Sequence, residues 1–119
     1  MKSVLAALVL FTTFSAHADI SPNTKQEISH LFTHLKSSGC EFNRNGSWYN
    51  ADKAVDHLNQ KYEYLLNKGL IVTTEDFIQK AAAESSMSHK PYMVKCGEKE
   101  STSATWFKDE LIIYRASKK

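Results

Sequence analysis

The chain has 119 residues, 15 basic against 13 acidic side chains for a net charge of +2, and 42% hydrophobic residues. That length bounds it to one domain with a modest core, and so even a charge balance argues against nucleic acid or an anionic membrane surface as partner. The two cysteines, Cys40 and Cys96, have no CxxC spacing, which excludes a thioredoxin-like redox motif.

Lys2 is the only charge before Asp19, and the apolar run from Val4 to Phe11 is too short to span a bilayer. The run leads to Ala16-His17-Ala18, a small-x-small end. A basic start, a short apolar centre and such an end make a cleavable secretory signal peptide over residues 1–18, cut after Ala18. The remainder, 19–119, is expected to be a single domain in the periplasm with no membrane span. In that oxidising compartment Cys40 and Cys96 are expected to pair, and closing a loop of about 55 residues stabilises the fold by about 4 kcal/mol.

Ser21-Pro22 opens a first helix, with Ser21 as cap and Pro22 in the first turn. Thr24-x-x-Glu27 offers a second capping box. Ile28, Leu31, Phe32 and Leu35 form its apolar face, and Gly39 suits a left-handed exit. In Cys40–Tyr49, Asn45-Gly46 separates two short aromatic-bearing runs, a hairpin signal because both turn residues tolerate positive φ. A second helix is predicted from about Ala51 to Lys68, with Ala54, Val55, Leu58, Tyr62, Leu65 and Leu66 in one stripe. Thr73-Thr74-Glu75-Asp76 starts a third, burying Phe77, Ile78, Ala81 and Ala82. Tyr92–Cys96 reads as a strand, residues 97–103 as a polar loop, and Ala104–Arg115 as a final helix. The Leu111–Tyr114 stretch also fits a strand, because β-branched residues favour one. The expected fold is α+β: about four helices around a small antiparallel sheet made of a hairpin plus one strand, stapled by one disulfide.

No segment carries a nucleophile motif such as GxSxG or SxxK. Lys53, His57 and Lys61 recur one helical turn apart and form a cationic row. The neighbouring positive charge is expected to keep His57 neutral, with Asp56 pointing elsewhere. Arg44 at the hairpin tip suits an anion gripped by two parallel bonds; alternatively it packs on Trp48 or Tyr49. Ser85–Ser88 precede Lys90-Pro91-Tyr92 in a hydroxyl-rich loop, which fits either a partner-binding loop or a helix end capped and solvated by serines. His30 and His34 share a helix face, and a metal there would need a third ligand such as His57; the plainer expectation is that both are solvated.

Four segments in order, Phe42-x-Arg44-Asn45-Gly46, Ala54-x-x-His57-Leu58, Glu75-Asp76-Phe77-Ile78 and Lys90-Pro91-Tyr92, make the chain resemble the YfeK-like proteins, a family of small exported bacterial proteins of unknown function. The resemblance spans about Ile28 to Arg115. It departs at His89, where the family is expected to carry Gly before Lys-Pro-Tyr. It implies an envelope location and groups Arg44, Asn45, His57, Lys90 and Tyr92 in whatever site the family has. With Lys61 added from the helical row, these six residues are the candidate binding set.

The reading is therefore a non-enzymatic binding or interaction module, with no cofactor or metal. Its partner would be an envelope protein or a small anionic ligand held by Arg44 and Lys90, with Tyr92 or Trp48 as the apolar contact. Two alternatives stand beside it: a small hydrolase using His57 and a serine of residues 85–88, and a metal carrier using His30, His34 and His57.

Overall fold

A computed structural model describes residues 20–119; the proposed leader and its cleavage point lie outside the described residues. The chain runs α1 (Pro22–Ser37), β1 (Glu41–Arg44), β2 (Ser47–Tyr49), α2 (Ala51–Asn67), α3 (Thr74–Asp76), β3 (Met93–Cys96), β4 (Lys99–Thr102) and α4 (Ser103–Ser117). After α3 the helix continues directly as a π-helical segment, Phe77–Ala82. The fold is α+β, as expected.

The caps account for most of the boundaries. Ser21 Oγ accepts from the Thr24 amide at 3.1 Å, with Pro22 at the first helical position. The helix therefore starts a turn before the second capping box read from Thr24-x-x-Glu27. Glu27 does not reach back to the terminus but turns into the interior, 4% exposed. Thr73 and Asp76 make the reciprocal capping box of α3. Leu111–Tyr114 lies within α4 and is helical.

The sheet is antiparallel, in the order β2-β1-β3-β4. It has four strands where the sequence suggested three. Residues 99–102, read as a polar loop, pair with β3 from Met93↔Thr102 to Cys96↔Lys99. The Lys-Glu-Ser-Thr of β4 has no alternating apolar face to mark it as a strand. Its signal was Gly97, whose φ of +64° closes the turn. The hairpin at Asn45-Gly46 forms as predicted, with φ of 52° and 87°.

Pairing Glu41↔Lys95 sets Cys40 opposite Cys96, and the two are disulfide-bonded with Cα atoms 4.5 Å apart. The helices cover one face of the sheet. Phe77, fully buried, sits at the centre, with Phe32, Tyr62 and Phe107 around it at centroid distances of 5.4, 5.3 and 6.2 Å. Leu31, Leu35, Ile71, Ile78 and Val94 complete that core, each such side chain contributing about 1.5–3 kcal/mol on burial.

A polar tie crosses this core. Arg115 Nε and Nη2 donate to Glu27 at 2.7 and 3.0 Å, and Thr74 Oγ1 donates to the same carboxylate at 2.6 Å. Arg115 also pairs with Glu75 at 2.6 Å. The Arg115 hydrogen bonds hold the Glu27 carboxyl below its ordinary value despite burial, and α1, α3 and α4 are thereby locked together.

Candidate functional site

A cavity of about 320 Å³ opens between the sheet and α2. Strand alternation supplies one wall. Phe42 and Arg44 are two apart on β1 and share a face, and Tyr49 stands opposite Phe42 in the register. Continuing the β1–β3 register from Asn43↔Met93 by one step brings Tyr92 opposite Arg44. The helical period supplies the other wall: Lys53 and His57, and beside them Ala54 and Leu58, are one turn apart on α2. Leu35, Ala82 and Phe107 form apolar parts of the lining, while Asp56, Gln60 and Ser103 add polar groups.

The Tyr92 hydroxyl is the meeting point. His57 Nε2 lies 3.4 Å from it, and Lys61 Nζ donates to it at 3.4 Å. With Lys61 donating to the oxygen, the phenolic O–H is free to donate to a neutral His57 Nε2, which fixes the ring proton on Nδ1. Lys61 also donates to the Glu84 carbonyl at 2.6 Å, which ties α2 to the end of the π-helical segment. The ammonium has a third N–H. Arg44 has no carboxylate partner among the described residues.

Electrostatics follow from this crowding. Burial lowers the His57 pKa first, and the Arg44 and Lys61 charges lower it further. The imidazole is neutral as expected, though desolvation outweighs the charged neighbours. Burial brings Lys61 down to about 8, with Glu84 opposing and Arg44 adding to the shift. Burial raises the Tyr92 phenol, with Arg44 acting the other way.

Of the six sequence candidates, the structure gathers four: Arg44, His57 and Tyr92 line the cavity, and Lys61 adjoins it through Tyr92. Asn45 instead braces the loop, accepting from Ser88 Oγ at 2.8 Å. Lys90 is not among the lining residues; its backbone closes the loop, with its carbonyl accepting from the Ser85 amide at 3.0 Å. Trp48 is likewise outside the cavity, its ring facing Lys95, and Tyr49 takes the place expected of it. Asp56, expected to point elsewhere, lies on the cavity wall. Gln60 and Ser103 went unnoticed, because nothing local to either reports a wall built from β1, α2 and α4.

The other constellations dissolve. Ser85 Oγ accepts from the amides of Met87 and Ser88 at 3.3 Å each, and Ser88 Oγ is spent on Asn45. No serine of the loop hydrogen-bonds His57 among the described residues. His30 and His34 remain partly exposed to solvent, at 31% and 34%. They share Glu110 at 3.1 and 3.4 Å, with His30 stacked on Tyr114 and His34 tilted against Trp106. His57 bonds instead to Tyr92, and no group of three His, Cys, Asp or Glu is arranged to hold a metal among the described residues.

Residues 22–115 match the model of DUF5329, a family of unknown function. The chain belongs to this family. A curated relative, the uncharacterized protein YfeK of Salmonella typhimurium, is 35% identical over 94 residues, covering 77% of each chain. No solved structure matches. Within the DUF5329 domain, His89 takes a φ of 58°. This is the left-handed region that glycine fills most readily, and in this chain a histidine occupies it before Lys90-Pro91-Tyr92. Among the described residues, no helix is long and apolar enough to cross a membrane.

Proposed function

We propose that this DUF5329 member is a non-enzymatic binding module of the periplasm whose cavity between β1 and α2 holds a small anionic ligand or an anionic group of an envelope partner. One observation carries the reading: Arg44, without a carboxylate partner among the described residues, and the His57–Tyr92 pair meet at one concavity with an apolar lining, and a half-buried Lys61 with a spare donor adjoins it through Tyr92. Ligand cavities combine an apolar lining with a few convergent polar groups in this way. The basic and hydroxyl groups recognise charge, while Ser85 and Ser88, two of the serines that a hydrolase would need, are engaged in holding the loop.

Small anions of the carboxylate, phosphate and sulfonate classes, titrated against the purified protein, should include one that raises the melting temperature saturably. The Arg44→Ala variant should lose that shift. No response to any of the three classes, or an equal response in the variant, would remove the assignment. For location, cell fractionation with the leader intact should release the protein by osmotic shock; retention in the cytoplasm would contradict export.

A further inference from the structure

Resting on the reading of the cavity as a ligand site, we infer that the ligand is a small monocarboxylate with a compact apolar body, its carboxylate held by Arg44 and Lys61 and its body packed on Phe42, Leu58 and Phe107.

Size gives the first constraint. At about 320 Å³ the cavity lies at the small end of ligand sites, roughly 300–1,000 Å³. That volume suits a small molecule and not an extended peptide strand. The lining gives the second. Leu35, Phe42, Leu58, Ala82 and Phe107 all belong to the buried core and also face the cavity. A fully hydrated anion placed there would shed its water against hydrocarbon, which is costly without partners. An apolar body turns that lining into a favourable contact.

Charge gives the third constraint. The cations close to Tyr92 are Arg44 and Lys61, and Lys61 already spends one donor on Glu84. His57 is neutral and adds hydrogen bonding without charge, and on the same wall the Lys53 and Asp56 charges offset each other. The two remaining cations match a carboxylate, and the apolar lining, against which a strongly hydrated phosphate dianion would have to shed its water, works against phosphate. The planar guanidinium fork of Arg44 matches the two coplanar oxygens of a carboxylate. The third Lys61 N–H lies beside it to complete the grip.

Titration calorimetry on the purified protein tests this with four probes: phenylacetate, 4-methylpentanoate, the neutral phenylacetamide and inorganic phosphate. The two carboxylates are expected to bind, with phenylacetamide and phosphate at least tenfold weaker. Arg44→Gln and, separately, Lys61→Met are each expected to weaken phenylacetate at least tenfold, with the melting curve confirming that each variant is folded. If phosphate binds and the carboxylates do not, the ligand class is wrong and the anion-site reading survives. Phenylacetamide binding as tightly as phenylacetate would overturn carboxylate recognition. Unchanged affinity in both variants would overturn the assigned grip, and silence from all four probes would count against the carboxylate and the site together.

Discussion

Lys61 meets Tyr92 twice: its ammonium donates to the phenolic oxygen at 3.4 Å and lies 5.0 Å from the ring centre. This contact joins the body of α2 to the residue before β3, and it makes the charge on Lys61 a property of the cavity. With Lys61 titrating at about 8, anion affinity should fall as pH rises through about 8, because the ammonium that attracts the anion is lost. The bound anion favours the charged form, so the midpoint in the complex lies higher than in the free protein. His57, held below its ordinary value, adds a charge on the acid side, so affinity should rise again as pH falls through that lowered value. Affinity measured across pH in the wild type and in Lys61→Gln checks both steps; the alkaline one should vanish in the variant.

The buried Glu27 carboxylate gives a stability test. Its folded pKa is lowered by Arg115 and by Thr74, so the unfolded chain binds the proton more readily. Its contribution is therefore fully present above the unfolded value near 4.5 and is lost as pH falls through the folded value. Glu27→Gln should destabilise the protein by about 1–3 kcal/mol at neutral pH. It should also flatten the acid side of the stability profile in urea titrations.

Removing the Cys40–Cys96 bond by double alanine substitution should lower the unfolding free energy by about 2–4 kcal/mol. The urea midpoint in the absence of reductant reads this directly, and reductant should lower the wild type without moving the variant.

His89 provides a backbone test. Its φ of 58° is tolerable for histidine and poor for a β-branched residue. His89→Val should cost about 1–2 kcal/mol, whereas His89→Gly should leave the melting temperature unchanged or raise it. Equal losses in both would point instead to the Glu84–His89 contact at 3.4 Å.

Legibility in the sequence followed the range of the interactions. Ser21-Pro22, Thr73 with Asp76 and Asn45-Gly46 act over two to four residues, and each produced the cap or turn its chemistry dictates. The Lys53–His57–Lys61 row was visible because helical spacing alone aligns it. What the row faces was not, since Arg44 and Tyr92 reach it only through a strand register linking segments far apart in the chain. The polar strand β4 escaped because its partner, not its own composition, makes it a strand. Glu27 was misread for a related reason: its local capping partner is outcompeted by Arg115, 88 residues away. The π-helical turn at Phe77–Ala82 has no local pattern that separates it from an α-helix.

A nuclear magnetic resonance titration of the isotopically labelled protein with phenylacetate locates the ligand on the molecule. Binding in the cavity between β1 and α2 should give saturable shifts confined to the amides around Arg44, Lys53, His57 and Tyr92. Shifts scattered over the surface without saturation, or concentrated on the His30–His34–Glu110 face, would contradict it.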